Sequence, residues 1–215
     1  SFLLKIIIKI LMKILAIGKN YVNTFEEISA NKSGSQIIFS KPESSLVLNN
    51  NDVSYPSFTK DLRYEVELVL KIGKTGKDIS EENAHEYISE IGIGIDFTAK
   101  DIFDASREGK GPWDLGKGFD GGAPISSFKP ISSFSDLGNI NFNLKINEKE
   151  LQAGNTSLMI YNFAEIISYT SKFMTLQPGD FIFTGTPASG TWQIHKGDRL
   201  EASIEGEVLL DFKMV

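Results

Sequence analysis

The sequence predicts an α+β domain, because many short apolar strands are separated by turn residues and only about three helical segments interrupt them. Its 215 residues are 41% hydrophobic and 23% charged, which is enough apolar material for one domain to bury a substantial core. We find no internal repeat in the sequence. The expected organisation is a single domain over residues 12–215, preceded by an appendage at residues 1–11.

The first eleven residues, "SFLLKIIIKIL", differ from the rest of the chain. They are apolar with two interspersed lysines, and Met12 behind them looks like a natural start. The segment is too short to span a bilayer, and it lacks the small-residue cleavage site of a signal peptide. We interpret residues 1–11 as an N-terminal extension or a cloning remnant without a role in function.

The beginning of the domain alternates strands with loops. Residues 13–18, "KILAIG", predict a strand that ends in a glycine turn. Residues 20–29 predict a short helix with Asn23 or Thr24 as its cap, because acidic residues would then lie in the first turn. Residues 37–47 predict a short strand that runs into a proline turn.

The middle of the chain contains the two most apolar strands. Residues 63–73, "RYEVELVLKIG", predict the first of them, and residues 93–99 predict the second. Between them, residues 81–92 predict a helix with an apolar stripe. Residues 100–125 are rich in glycine and predict a long irregular region, which in a compact domain is usually functional or disordered.

The last third of the chain returns to β-structure around one helix. Residues 140–151 predict a hairpin that turns near Asn147. Residues 157–174 predict an amphipathic helix capped by Asn155 or Thr156. A strand then runs into the "TGTP" turn, and two final strands meet at a glycine.

Composition excludes several classes of site. The net charge is −6 and no basic stripe is present, so we expect no nucleic-acid partner. The absence of cysteine excludes disulfides, thiolate zinc sites and cysteine nucleophiles, and it fits a cytoplasmic protein. With only His85 and His195, of which His85 is interpreted as a surface residue, any bound metal should have oxygen ligands, which favours Mg²⁺, Mn²⁺ or Ca²⁺.

Two glutamates interrupt the most apolar strand. Glu65 and Glu67 are two positions apart, so the period of a strand places both on one face. Asp96 similarly ends the second apolar strand. Carboxylates that meet in an apolar setting repel unless a cation joins them, and three of them can hold a divalent ion. Alternating acids on a strand can also be its solvated face, and the spacing alone leaves both interpretations open.

Two loops carry candidate ligand-binding groups. "PWDLGKGFD" places Lys117 between glycines, where a cation can approach developing negative charge, although a solvated surface lysine fits the same pattern. "FTGTPASG" offers hydroxyl groups and backbone N–H groups to an anion. Each motif is weak when taken alone.

Taken in order, these segments resemble the fumarylacetoacetate hydrolase family over residues 12–215. Eight stretches carry the resemblance: "ILAIGKNY", "FSKP", "YEVELVLKIGK", "GIGIDFTAKD", "GPWDLGKGFD", "GNTSLMIYNFAEIISYTSKFMTL", "PGDFIFTGTP" and "KGDRLEASIEG". The resemblance implies a mixed β-sandwich roll, a homodimer, and an enzyme for small 2-oxo acids such as acylpyruvates, fumarylpyruvate or oxaloacetate. The implied reactions are C–C hydrolysis, decarboxylation and shift of a double bond. We expect no membrane partner.

The resemblance also assigns residues. It implies that Glu65, Glu67 and Asp96 bind Mg²⁺ or Mn²⁺, and that Lys117 supports negative charge on an enolate or oxyanion. The "TGTP" turn, through Gly185 and Thr186, is implied to bind the substrate carboxylate. Lys100 is implied to add positive charge nearby.

The chain departs from the family pattern at three positions, Thr24, Lys100 and Phe103. Hydrolytic members carry a histidine that pairs with the position of Glu27 to activate water, and here that histidine is replaced by Thr24, which cannot act as a general base near neutral pH. Lys100 replaces an arginine and loses its bidentate fork, while Phe103 replaces a glutamine. We therefore expect weakened C–C hydrolysis with decarboxylation or keto–enol chemistry retained. The alternative is a member that binds metal or ligand without turnover.

Overall fold

A six-stranded sheet and a four-stranded sheet form the body of the protein, which a computed structural model describes over residues 12–215. The predicted N-terminal extension at residues 1–11 lies outside the described residues. Within residues 12–215, no helix is long and apolar enough to cross a bilayer. The mixture of sheets and short helices confirms the predicted α+β class.

Fourteen strands lie in residues 12–215. They are β1 (Ile14–Gly18), β2 (Ile37–Lys41), β3 (Leu46–Val47), β4 (Leu62–Arg63), β5 (Val66–Ile72), β6 (Ile88–Ile95), β7 (Thr98–Ala99), β8 (Ala123–Pro124), β9 (Lys129–Pro130), β10 (Asn141–Ile146), β11 (Lys149–Asn155), β12 (Phe181–Phe183), β13 (Arg199–Ile204) and β14 (Glu207–Lys213).

The helices of the same residues are short. The α-helices are α1 (Glu26–Asn31), α2 (Lys100–Glu108), α3 (Asp114–Lys117) and α4 (Phe163–Ser171). Single turns of 3₁₀-helix cover Glu43–Ser45, Ile131–Ser133 and Thr156–Leu158, and a longer one covers Glu81–Tyr87.

The larger sheet is mixed. Its strand order is β2-β1-β12-β5-β6-β9, in which β1 and β12 are parallel and the other neighbours are antiparallel. The second sheet, β11-β10-β13-β14, is wholly antiparallel. Strands β5 and β12 therefore lie in the middle of the larger sheet, where both of their faces are covered.

Strand β5 divides its residues between two cores. Val66, Leu68 and Leu70 point into the main hydrophobic cluster, while Val69 packs into a smaller cluster on the opposite face. Glu67 shares the face of Val69 because side chains alternate along a strand. The Glu67 side chain thus lies on the face of the sheet that packs against the smaller apolar cluster.

Glycines on β6 make room for aromatic rings on that same face. A Cβ atom on Gly94 would lie 2.8 Å from Phe183 and 3.0 Å from the Pro124 carbonyl oxygen, and one on Gly92 would lie 2.9 Å from Phe128. Gly94 is the direct partner of Glu67 in the ladder. The close approach of Phe183 beside Glu67 therefore requires glycine at residue 94.

The predicted helix over residues 81–92 is wrong beyond its first half. The helical turns end at Tyr87, and β6 begins at Ile88. Tertiary pairing explains the error, because the isoleucines that suggested a helical stripe form a ladder with β5 and bury their side chains in the main core.

Two other helix predictions need correction. Helix α1 starts at Glu26 with Phe25 at its N-cap and no side-chain cap, so the predicted start at residue 20 and the caps at Asn23 or Thr24 are wrong. The predicted irregular region at 100–125 contains α2 and α3. Gly109 and Gly118 follow the helix ends and Gly116 lies within α3, so the glycine content obscured both helices.

The last third of the chain follows the prediction more closely. The hairpin of β10 and β11 turns at Asn147 and Glu148, which both have positive φ. The helix predicted over 157–174 is shorter: α4 begins after Asn162, whose side chain accepts from the Glu165 backbone in a complete capping box. Asn155 caps only the preceding 3₁₀ turn.

We expect Gly94→Ala to lower the free energy of unfolding by about 1–3 kcal/mol, because the new methyl group overlaps Phe183 and a backbone carbonyl. Urea denaturation measures the change, provided that the dependence of the unfolding free energy on urea concentration (the m-value) is the same for both proteins. Gly111→Ala is the matched control, since the nearest atom to its Cβ would be 3.6 Å away. Equal stabilities of the two variants would contradict the packing argument.

Candidate active site

The register of β5 and β6 brings three carboxylates together. Glu65 directly precedes β5, Glu67 lies within it, and Asp96 directly follows β6. The Asp96 backbone N–H donates to the Glu65 carbonyl oxygen at 2.8 Å, which fixes the two strand ends side by side. One carboxylate oxygen from each residue lies within 4.8 Å of the others. Glu67 and Asp96 are almost fully buried, so these acids are not a solvated face.

Two buried lysines neutralise part of this charge. The Lys117 ammonium donates to Glu65 Oε2 at 2.8 Å and to Asp96 Oδ2 at 2.6 Å. Lys41 Nζ lies 2.6 Å from Asp96 Oδ1 and also donates to the Lys117 carbonyl oxygen. Both lysines are at most 4% exposed. Asp96 is therefore held between two ammonium groups.

Burial and neighbouring charges shift the pKa values of the three carboxyl groups in different directions. Burial, reinforced by the neighbouring carboxylates of Asp96 and Glu65, holds the pKa of Glu67 well above its usual range. Burial likewise raises the pKa of Glu65. Burial alone would raise the pKa of Asp96 too, but the ammonium groups of Lys117 and Lys41 outweigh it and lower that pKa. Glu67 is thus the least compensated acid of the group.

The donor set fits a hard divalent cation. Three carboxylates offer only oxygen atoms, and the described residues at this point include neither histidine nor thiolate. The three acids and two lysines carry a formal net charge of −1. A cation beside Glu67 would offset the burial and the carboxylate repulsion that together raise its pKa, which is a physical reason for the cluster to bind one.

A tight turn after β12 also faces Glu67. The Gly185 backbone N–H donates to Glu67 Oε2 at 2.7 Å. Gly185 has φ +102°, and a Cβ atom there would lie 2.7 Å from the Cβ of Asn20. Asn20 is buried, and its side-chain amide donates to the carbonyl oxygens of Thr184 and Tyr161 and accepts from the Tyr161 backbone N–H. Glycine is required so that this turn can approach the carboxylate.

Gln152 connects several parts of the site from behind. Its side-chain oxygen accepts from the Val66 backbone N–H at 2.9 Å, between the two glutamates. Its amide nitrogen donates to Thr186 Oγ1 at 3.1 Å and to the Gly190 carbonyl oxygen at 3.0 Å. This buried amide therefore ties β5 to the loop that follows the "TGTP" turn.

Two adjoining cavities open onto the carboxylates. The larger, of about 450 Å³, is lined by Asn23 and Glu27 on one side. The smaller, of about 360 Å³, is lined by all three carboxylates together with aromatic rings and Arg107. Residues common to both cavities are Lys19, Glu65 and Thr186. A ligand at the carboxylates can therefore extend in either of two directions.

Some of the predicted site residues line the two cavities, and others do not. Lys117, Thr186 and Phe103 line the smaller cavity, and Glu27 lines the larger one. Thr24 is exposed, bonds Glu26, and is absent from the linings of both cavities. Lys100 likewise lines neither, and its ammonium pairs with Asp104 one turn along α2.

Three residues of the site were not predicted from the sequence. Lys41 lies in the "FSKP" stretch of the resemblance but was given no role, although a lysine at the end of a strand was the available signal. Gln152 and Arg107 lie on an ordinary strand and an ordinary helix, and no local pattern distinguishes them. Their positions depend on contacts between segments far apart in sequence.

Comparisons with known proteins agree with this geometry. The family model for the fumarylacetoacetate (FAA) hydrolase C-terminal domain matches residues 13–213. The mitochondrial oxaloacetate tautomerase FAHD1 of Bos taurus is 34% identical over 201 residues, covering 94% of this chain and 90% of the relative. The mitochondrial oxaloacetate decarboxylase of Dictyostelium discoideum is 35% identical over 195 residues, covering 90% and 89%.

A solved structure extends the comparison to the fold. The fumarylpyruvate hydrolase of Pseudomonas aeruginosa, crystallised with Mn²⁺ and pyruvate, superposes with a TM-score of 0.86 at 32% identity. The match covers 95% of this chain and 90% of that chain. The family resemblance and its implied fold are thereby confirmed.

We expect Lys41→Met to lower the free energy of unfolding by about 3 kcal/mol or more, because it leaves the buried Asp96 with only one of its two cationic partners. Urea or thermal denaturation measures the loss. Lys74→Met is the control: it removes an exposed lysine paired with Glu86 and should change stability little. Wild-type stability of Lys41→Met would show that Lys41 does not compensate Asp96.

Proposed function

The chain belongs to the fumarylacetoacetate hydrolase family, and on this premise we propose that it is a divalent-metal-dependent enzyme that enolises short 2-oxo acids. Keto–enol tautomerisation and decarboxylation are its favoured reactions, ahead of C–C hydrolysis. The observation that carries the proposal is the buried cluster of three carboxylates with the Lys117 ammonium bonded to two of them. A homodimer and a cytoplasmic location stay predictions.

Glu65, Glu67 and Asp96 are the residues that would hold the metal, Mg²⁺ or Mn²⁺. When bound, such an ion supplies Lewis-acid polarisation of a 2-oxo carbonyl group. The Mn²⁺ and pyruvate in the related fumarylpyruvate hydrolase structure support this assignment. The Gly185 N–H and the Gln152 contact to Val66 keep the Glu67 carboxylate in place.

Lys117 and Thr186 orient the oxo acid. The Lys117 ammonium is buried beside the carboxylates and has a third proton left to donate to a carbonyl oxygen that gains charge on enolisation. Thr186 Oγ1 already accepts from Gln152, so its O–H is available to donate to the substrate carboxylate. Gln152 therefore positions the threonine for binding.

Glu27 is the residue we assign to proton transfer. It lines the larger cavity together with Glu65, and its carboxylate accepts one hydrogen bond, from the Asn23 backbone N–H at 3.0 Å. In the forward step, the C3–H proton of the oxo acid passes to Glu27 and the electron pair of that bond forms the C2–C3 double bond. The carbonyl oxygen gains the charge and receives the hydrogen bond of Lys117.

Hydrolysis needs an activated water, and of the histidine–glutamate pair that the resemblance implies for this step only Glu27 lines a cavity. Among the described residues that line the two cavities, none is a histidine, and Thr24 faces Glu26 instead. Enolisation requires only a base and a stabilised oxygen, both of which the site supplies. Relatives that act as an oxaloacetate tautomerase and an oxaloacetate decarboxylase support this preference.

The second candidate is a protein that binds the metal and an oxo acid without turnover. The exposed Thr24 and the outward ion pair of Lys100 favour it, since two residues expected at the catalytic centre are directed elsewhere. Binding and turnover must therefore be measured separately.

We expect saturating Mn²⁺ to raise the melting temperature by about 5–10 °C, corresponding to roughly 2.7 kcal/mol at a hundredfold excess over the dissociation constant. Glu67→Gln should abolish the shift, because it removes one of the three carboxylates. Glu82→Gln, on an exposed turn, is the control and should keep it. Oxalate should add a further shift only with Mn²⁺. No response of the wild type to Mn²⁺ would contradict the metal assignment.

We expect Glu27→Gln to lower kcat for enol–keto conversion of oxaloacetate by about 100-fold or more, because the base is lost, while the Mn²⁺ shift stays unchanged. Ultraviolet absorbance of the enol follows the reaction. Glu26→Gln, the exposed neighbour bonded to Thr24, is the control and should retain activity. Efficient acetylpyruvate cleavage that survives Glu27→Gln would refute the proposal, and oxalate binding without any turnover would favour the binding protein.

A further inference from the structure

The geometry points to Arg107 as the anchor for a second carboxylate, so that the preferred substrates are dicarboxylic 2-oxo acids whose far end lies in the smaller cavity. This inference rests on the proposed function and narrows its substrate class. It assigns the role to a residue about two turns along α2 from Lys100, whereas the family resemblance implied Lys100 itself.

The two cavities differ in the charge they present to a substrate tail. Beyond their shared residues, the larger cavity carries the Glu27 carboxylate, which repels an anion. The smaller cavity carries the Arg107 guanidinium against a wall formed by Phe39, Phe103 and Trp113. A second carboxylate therefore favours the smaller cavity, while Glu27 lines only the larger one.

Aromatic contacts hold Arg107 in place over the smaller cavity. The guanidinium carbon lies 5.6 Å from the centroid of the Phe103 ring, which packs edge-on against Trp113 with centroids 5.1 Å apart. Lys117 Nζ lies 5.7 Å from the same Phe103 centroid, so the two cations are at most about 11 Å apart. A short diacid held near Lys117 can span that separation.

Arg107 is also available to bind an anion. Its described contacts are the Phe103 ring and its own helix backbone, and none of the ion pairs within residues 12–215 includes it. Lys100, by contrast, is neutralised by Asp104. The guanidinium can therefore offer a bidentate fork to a carboxylate without first breaking an ion pair.

Charge balance explains why the site needs this cation. The cluster of three acids and two lysines has a formal charge of −1, so a divalent ion and one substrate carboxylate bring it to neutrality. A second carboxylate adds one negative charge, which a nearby cation stabilises. Lys19 lines both cavities and so does not distinguish them, whereas Arg107 supplies a positive charge only in the cavity that also contains the three acids.

Binding of unreactive acids to the Mn²⁺-loaded protein tests the inference by isothermal titration. L-Malate and L-lactate share a chelating head, and only malate has a second carboxylate. We expect Arg107→Gln to weaken malate binding about tenfold and to leave lactate unchanged, while Arg107→Lys, which keeps the charge but loses the fork, falls between. Lys110→Gln, an exposed lysine outside both cavities, should leave both affinities unchanged.

The outcomes separate this inference from the proposed function. If Mn²⁺-loaded wild type binds neither oxalate nor malate, the proposed function itself fails. If oxalate and malate bind but Arg107→Gln leaves the malate-to-lactate preference intact, Arg107 is not the anchor. A loss of preference in Lys100→Gln with none in Arg107→Gln would return the role to the residue implied by the resemblance.

Discussion

The pairing of β5 with β6 is the constraint on which the site depends. Antiparallel register sets Glu67 opposite Gly94 and joins the Asp96 N–H to the Glu65 carbonyl oxygen. A slip of one residue would turn every side chain of one strand to its other face, placing carboxylates in the main core. The same isoleucines and valines that fill this core therefore also fix the spacing of the three acids.

The buried acids in turn determine which residues surround them. Uncompensated carboxylates in an apolar sheet are costly, so the fold supplies Lys41 and Lys117 from segments distant in sequence and an N–H group from Gly185. The compensation is incomplete at Glu67. In the proposed function, a divalent cation would relieve that imbalance, which links the stability of the cluster to its chemistry.

The surrounding loops divide the space around the cluster by charge. One cavity carries the Glu27 carboxylate, and the other carries the Arg107 guanidinium beside aromatic rings. Phe103, where the resemblance implies a glutamine, contacts the Arg107 guanidinium through its ring. This departure from the pattern changes the lining of the smaller cavity, while the three carboxylates are retained.

The sequence by itself determined the α+β class, the face shared by Glu65 and Glu67, and the family, because strand periodicity and ordered motifs are local properties of the chain. Tertiary structure decided that residues 88–92 form a strand, since pairing with β5 outweighs a helical pattern. It also decided that Lys41 pairs with Asp96 and that Arg107 lines the cavity of the three acids. These residues and the acids lie on segments that meet only after folding, so no local pattern could predict their positions.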